Sequence, residues 1–133
     1  MTNRPSKEFG GGKTGIAHLL AAGRYSLAGA RVLAKESAAL HEVLAFAFGL
    51  VLLYLCGANF GDYLVVSILF LILMSTEALN TSIEYIVDFV SPEKSDFARA
   101  AKDLGSLAIF FNLCAGGAYL LAVLARTFGW IEW

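Results

Sequence analysis

Three long apolar runs constrain the fold of this chain more than any other feature. They extend over about residues 41–60, 63–90 and 104–126. A helix that crosses the hydrocarbon core of a bilayer needs ~20 residues. Of the 133 residues, 58% are hydrophobic and only 16% are charged, a balance that is rare in a soluble domain. The sequence therefore predicts an all-α integral membrane protein with three transmembrane helices, and residues 1–133 are expected to form a single membrane domain.

The segment before the first apolar run has a different character. We expect residues 1–15 to be a flexible, glycine-rich N-terminus and residues 16–40 to form one helix. That helix mixes alanine, leucine and valine with Arg24, Arg31 and Glu36, so its amphipathicity is moderate. Such a helix would lie along the membrane interface rather than cross the bilayer.

The distribution of lysine and arginine predicts the orientation. Six of the ten basic residues precede the first run, and three lie between the second and third runs. The turn over residues 57–62 has none, and the last basic residue, Arg126, stands at the end of the third run. Cytoplasmic loops carry an excess of lysine and arginine. We therefore expect the N-terminus and the loop before the third helix to be cytoplasmic and the C-terminus to lie outside.

Three carboxylates share one face of the second predicted helix. At ~100° per residue, Glu77, Glu84 and Asp88 fall within ~20° of one line, and Asn80 flanks it. Each acid costs ~3 kcal/mol or more at bilayer depth, so such residues usually mark a pathway or a site. A polar seam that only fixes the helix register is the simpler alternative. Three acids on one stripe favour a functional site.

The chemistry of this stripe indicates phosphoryl transfer. The clustered carboxylates and the amide are oxygen ligands of the kind that Mg²⁺ prefers, and the Lys102-Asp103 pair is expected close to them. Mg²⁺ at a basic interface suggests a phosphotransferase. Glu77 is the deepest acid, suited to be the general base for a lipid hydroxyl. Glu84 lies ~10 Å nearer the cytoplasm, where a metal–nucleotide complex would arrive. A small channel or proton-relay protein is the alternative of a different class, but it would need no Lys102-Asp103 pair.

A resemblance carries the prediction further. The pattern Glu77-x-x-Asn80-Thr-x-Ile-Glu84-x-x-Val-Asp88, followed by Ala101-Lys-Asp-Leu-Gly-Ser106, resembles the signature of the bacterial diacylglycerol kinase family. Upstream, Tyr25-Ser26-x-x-Gly29-x-Arg31 and the Glu36 and Glu42 pair are similar to the N-terminal part of that family. The resemblance covers roughly residues 16–125.

The resemblance implies a homotrimeric bundle in the bacterial inner membrane, with active sites shared between neighbouring subunits. It also implies ATP-dependent phosphorylation of diacylglycerol to phosphatidic acid at the cytoplasmic face, in phospholipid recycling. The expected partners are ATP with Mg²⁺, diacylglycerol and the lipid bilayer, and no nucleic acid.

Roles for individual residues follow from the same resemblance. Glu77 resembles the proton-accepting base, and Glu36 with Glu84 resembles the carboxylate pair that holds Mg²⁺. The implied ATP contacts are Tyr25, Glu36, Glu84, Lys102 and Asp103. Two further residues shape the site, Asn80 and Asp88. The implied contacts to the lipid substrate are Ser26, Arg31, Glu42, Glu77 and Ser106.

Two departures from the family pattern concern the nucleotide. The family commonly has a Tyr-His pair where this chain has Lys94-Ser95, and His18 stands where the family has an arginine. The residues that contact adenine therefore stay open. The acceptor has an alternative as well, because the related undecaprenol kinases phosphorylate a polyprenol. Glu42 and Ser106 resemble the diacylglycerol branch more.

Overall fold

The computed structural model describes residues 15–93 and 95–132. Four helices form the described chain: α1 (Ile16–Leu33), α2 (Ser37–Leu55), α3 (Phe60–Val90) and α4 (Asp96–Thr127). These residues include no strand. The last three helices are long and apolar enough to cross a membrane. The predicted all-α architecture is thus confirmed, with three helices that are able to span a membrane. Apart from Gly15, the segment predicted to be a flexible N-terminus lies outside the described residues, as does Lys94.

The chain has two compact units, and the boundary between them falls between Val32 and Leu33. The helix expected over 16–40 is shorter than predicted, because α1 ends at Leu33 and α2 begins at Ser37. Between them, Glu36 has extended backbone angles (φ −78°, ψ 130°) and is the N-cap of α2. Hydrophobic periodicity does not reveal such a restart, since apolar residues continue on both sides. No residue of α1 is buried, and its interfacial placement stays a prediction.

A tight turn joins α2 to α3 and shifts the predicted ends of both spans. Gly57 has φ +64°, a conformation that a residue without Cβ adopts most easily. Asn59 and Asp62 then form a capping box: the Asn59 side chain accepts from the Asp62 amide (3.2 Å), and the Asp62 carboxylate accepts from the Asn59 amide (2.9 Å). The box starts α3 at Phe60, so this residue belongs to the second span and not, as predicted, to the end of the first.

The third span begins earlier than its apolar run. The Ser95 hydroxyl accepts a hydrogen bond from the Ala98 amide (3.1 Å) and caps α4, so the helix starts at Asp96 rather than near Leu104. Hydropathy marks only the lipid-facing part of a helix and misses its polar first turns. As a consequence, Lys102 and Asp103 lie inside a regular helix, which fixes their directions relative to α3.

The core of the second unit is small and lies near the turn between α2 and α3. Leu53, Val66 and Val123 form its buried cluster, and α3 packs mainly against α4 and less against α2. Most other large apolar side chains are exposed, including Phe110 and Phe111 on α4. Helices that are apolar all round in this way fit a lipid environment or a contact with other subunits.

Candidate active site

Two glutamates are buried in the helical unit formed by α2, α3 and α4. Glu77 is 3% exposed and Glu42 is 6% exposed. In each residue the Oε2 atom is buried and has no hydrogen-bond partner among the described residues. The two carboxylates also interact electrostatically with each other. Burial of an unpaired carboxylate costs several kcal/mol, so this pair marks the region as a site rather than as packing.

One turn further along α3, Asn80 holds Glu84 in place. The Asn80 Nδ2 atom donates a 2.8 Å hydrogen bond to Glu84 Oε1. Asn80 is itself 6% exposed, and α4 comes very close to it at Gly105. A Cβ atom at position 105 would overlap the Asn80 amide oxygen. Glycine at this position therefore allows α4 to approach Asn80, which in turn directs Glu84.

A fourth acid, Glu36, reaches the same part of α3 from the start of α2. The Tyr85 hydroxyl donates a 2.8 Å hydrogen bond to Glu36 Oε1. Because Tyr85 follows Glu84 directly, this bond brings the Glu36 carboxylate to the turn of α3 that carries Glu84. Glu77 interacts electrostatically with both Glu84 and Glu36. The structure thus groups the predicted base with the two predicted metal ligands.

A polar cavity lies where α3 ends and α4 begins. The Lys102 Nζ atom contacts Asp88 Oδ1 at 2.5 Å across the two helices. The cavity has a volume of about 480 Å³, and its lining includes Asp88, Ser95, Arg99 and Lys102. Two cations beside a cavity of this size can neutralise phosphate charge. The cavity is therefore on the side of the site that suits a nucleotide.

An apolar cavity opens on the other side of the site. It has a volume of about 260 Å³ and is lined by α2, α3 and α4, mostly with apolar side chains and glycines. Its polar lining residues are Glu42 and Asn112. The Asn112 Nδ2 atom donates to Thr76 Oγ1 (3.0 Å), next to Glu77. An acid at the edge of an apolar cavity suits a ligand with an alkyl part and a hydroxyl.

The comparison with known families agrees with this chemistry. The family model described as "Prokaryotic diacylglycerol kinase" matches residues 24–124. The chain belongs to the prokaryotic diacylglycerol kinase family. The predicted family and the predicted enzyme class, a lipid kinase, are thereby confirmed, and the channel alternative has no support.

Three curated relatives, each named "Diacylglycerol kinase", match most of the chain. The protein from Sinorhizobium sp is 50% identical over 107 residues, which cover 80% of this chain and 78% of the relative. The protein from Haemophilus influenzae is 31% identical and covers 78% of this chain and 89% of the relative. The protein from Pseudomonas aeruginosa is 33% identical, with coverages of 77% and 84%.

The other predicted residues of this family member are less closely grouped. Tyr25, Ser26 and Arg31 are exposed on α1, in the first compact unit, so only the family resemblance assigns them to the site. Asp103 and Ser106 are both exposed on α4, and the buried Gly105 lies between them in the sequence. Their roles stay predictions.

The acids of this family member fit a metal that arrives with its nucleotide. Among the described residues, no three histidine, cysteine, aspartate or glutamate side chains form a group that could hold a metal ion. Mg²⁺, however, is usually bound through one or two carboxylates together with substrate phosphates and water. Glu36 and Glu84 supply two carboxylates, each with one oxygen held by a neighbouring donor, Tyr85 and Asn80. The donor set therefore fits Mg²⁺ bound to ATP.

Sequence reasoning missed a second polar cluster, at the opposite end of α3. Asp62 is 1% exposed and accepts hydrogen bonds from Arg126 Nη2 (2.5 Å) and from the Tyr119 hydroxyl (2.9 Å). The sequence does contain a signal for this pair. Asp62 stands just before the second apolar run and Arg126 ends the third, and a three-span topology places these two ends on the same side of the membrane. Asn112 and Tyr85 were also missed. Asn112 could have been found as the lone amide within the third apolar run.

Proposed function

We propose that this chain transfers the γ-phosphoryl group of ATP to the free hydroxyl of diacylglycerol, giving phosphatidic acid and ADP. The activity follows from the family and from the shared name of its three relatives. The single observation that carries the site is the buried Oε2 atom of Glu77, which has no hydrogen-bond partner among the described residues and interacts with a group of three further carboxylates.

Glu77 acts as the general base. Its free oxygen accepts the proton of the lipid hydroxyl while the hydroxyl oxygen forms its bond to the γ-phosphorus. The bond between the γ-phosphorus and the bridging oxygen breaks, and ADP leaves with that electron pair. Glu77 lies on α3 between the apolar cavity and the polar end of the helix. This depth suits a hydroxyl that approaches from the bilayer and a phosphate that approaches from water.

Glu36 and Glu84 hold the Mg²⁺ of the nucleotide. The ion, when bound, neutralises phosphate charge and aligns the γ-phosphoryl group. Asn80 contributes by keeping one Glu84 oxygen in a hydrogen bond, which leaves the other oxygen directed away from Asn80. Ligands whose partners fix their orientation bind metal more tightly than free side chains.

Lys102 stabilises the charge that develops on the phosphates. Its contact with Asp88 positions the ammonium group at the polar cavity until the nucleotide arrives. Asp103, next to Lys102, and Tyr25 on α1 complete the proposed nucleotide contacts on the strength of the family resemblance. Nucleotide entry from water requires this end of α3 to face the cytoplasm, as the positive-inside rule predicts.

The acceptor side comprises the apolar cavity and the residues near it. Glu42 lines this cavity, where the glycerol part of the lipid would lie, and Ser26, Arg31 and Ser106 are further proposed contacts. Diacylglycerol suits this arrangement because its hydroxyl sits at the headgroup boundary while both acyl chains stay in hydrocarbon. Phosphatidic acid formed in this way re-enters phospholipid synthesis, so the proposed role is phospholipid recycling in the bacterial inner membrane.

The working unit is a homotrimer with shared active sites. Two observations support an oligomer. Only Ala98, Gly105 and Val123 are buried on the long helix α4. In addition, Glu42, Glu77 and Asn80 each keep a buried polar atom that lacks a partner within the described part of one chain. Neighbouring subunits and bound substrates can supply such partners.

Purified protein with labelled ATP and a panel of lipid alcohols tests the proposal. Diacylglycerol should show a higher kcat/KM than undecaprenol at matched mole fraction in the same micelles, and water-soluble alcohols should not react. A preference for undecaprenol would reject the acceptor but keep the phosphotransfer. Absence of lipid phosphorylation with every alcohol would reject the function.

A further inference from the structure

The contact between Tyr85 and Glu36 joins two parts of the chain that are 49 residues apart in sequence. The Tyr85 side chain projects from the polar end of α3 and donates to Glu36 Oε1 at 2.8 Å. In the family-like signature, Glu84-x-x-Val-Asp88, position 85 is one of the unspecified residues. The resemblance therefore assigns Tyr85 no role.

Glu36 would be poorly fixed without this contact. It is the N-cap residue of α2, yet its side chain makes no capping hydrogen bond to the first turn. The two residues before it, 34 and 35, are not helical either. A glutamate in such a connection loses rotamer entropy when it is ordered for binding. The phenol hydroxyl restricts one carboxylate oxygen and leaves Oε2 available.

The contact also brings the Glu36 carboxylate to the turn of α3 that carries the other proposed metal ligand, and Glu77 interacts electrostatically with both acids. Tyr85 and Glu84 are consecutive on α3, and Glu84 is directed by Asn80 in the same way that Glu36 is directed by Tyr85. The two carboxylates are thus each restrained by one neutral donor. A neutral donor orients a carboxylate without cancelling the negative charge that attracts Mg²⁺.

We propose that Tyr85 is a positioning residue that holds the Glu36 carboxylate ready for the Mg²⁺ of ATP. The inference rests on the proposed role of Glu36 and extends it to a residue outside the signature. Tyr85 does not touch the reacting atoms. It restricts the Glu36 side chain to the geometry that binds the metal. Loss of the Tyr85 hydroxyl should therefore weaken binding of the metal–nucleotide complex more than it slows the chemical step.

The test replaces the hydroxyl alone. Tyr85→Phe removes the donor and, because Tyr85 is 56% exposed, leaves no cavity. Tyr54→Phe is the matched control, since Tyr54 is an exposed tyrosine near the far end of α2. Two readouts are needed: kcat and KM for Mg·ATP with diacylglycerol, and equilibrium binding of a non-hydrolysable Mg·ATP analogue without lipid turnover.

We expect Tyr85→Phe to raise KM and to weaken analogue binding about fivefold, the effect of one net hydrogen bond, while kcat changes less than twofold. Tyr54→Phe should match the wild type in both readouts. In a Glu36→Gln background, Tyr85→Phe should weaken analogue binding by a much smaller factor, because its partner is already altered.

Three results would overturn the proposal. Unchanged analogue binding in Tyr85→Phe would make the contact incidental. Tighter binding would mean that Tyr85 competes with the metal for Glu36. An equal loss with and without Glu36→Gln would show that Tyr85 acts elsewhere. Each of these presupposes a wild type that phosphorylates a lipid alcohol, so they are distinct from failure of the proposed function.

Discussion

The amide oxygen of Asn80 occupies the space that a Cβ atom at position 105 would need. This fit links the helix that carries the acids to the helix that carries Lys102. It also gives Gly105 a definite reason to be glycine, because any side chain there would push α4 away from α3 or turn Asn80 away from Glu84.

Gly105→Ala should therefore impair the enzyme although it adds a single methyl group. Overpacking of a close helix contact costs ~1–3 kcal/mol, so we expect a fall in kcat/KM of about tenfold or more, or a matching loss of thermal stability in micelles. Gly23→Ala is the control, since Gly23 is also inside a helix, lies outside both cavities, and a Cβ there meets no atom within 4 Å. Equal behaviour of the two variants would contradict the fit between Gly105 and Asn80.

Asp62→Asn should lower stability without altering the chemistry. The Asp62 side chain is 1% exposed and is paired with Arg126, so the substitution removes one charge of a buried ion pair and should cost ~3–5 kcal/mol. Thermal unfolding should shift strongly, whereas kcat/KM per folded protein should stay near the wild type. Asp96→Asn, which breaks an exposed pair with Arg99, should leave the unfolding temperature close to that of the wild type. A large loss of kcat in folded Asp62→Asn would connect this cluster to catalysis and contradict its structural role.

The membrane orientation can be tested with reporter fusions. A reporter after residue 133 and another within 57–62 should both report an outside location, because most basic residues lie before α2 or near the start of α4. A fusion near the N-terminus should report the cytoplasm. An inward C-terminus would contradict three spans with a cytoplasmic N-terminus.

Shared active sites predict complementation between inactive subunits. The acid stripe from Glu77 to Asp88 is ~17 Å long at 1.5 Å per residue, and three helices of one chain leave much of it uncovered. Glu77→Gln and Lys102→Ala subunits, each inactive alone, should recover part of the activity when refolded together. Full activity of a monomer in mild detergent would contradict the trimer.

The sequence predicted the helical class, the three spans and the acid stripe because hydropathy and helical periodicity act over many residues. The first residue of each helix was harder to predict from the sequence. They depend on single capping side chains such as Asn59 and Ser95, whose effect is local and does not alter the hydropathy of the run. The break between α1 and α2 at Glu36 was not predicted from the sequence for the same reason.

Contacts between helices were largely beyond the sequence. The bond from Tyr85 to Glu36 depends on how α3 packs against the start of α2, and the approach of Gly105 to Asn80 depends on how α3 packs against α4. Periodicity alone determines neither. The buried state of Glu42 was similarly hidden, because the residue lies at the polar start of an apolar run. The signature residues were identified without their geometry, and the structure supplied the geometry for those on α2, α3 and α4.

The most direct measurement of the central claim is the activity of Glu77→Gln with diacylglycerol and Mg·ATP. The substitution preserves shape and removes the base, so kcat should fall by about 10²–10⁴-fold while binding of a non-hydrolysable Mg·ATP analogue stays near the wild type. Glu84→Gln is the comparison variant, which should weaken analogue binding and recover partly at higher Mg²⁺. Near-normal kcat in Glu77→Gln would contradict its assignment as the base that accepts the lipid proton.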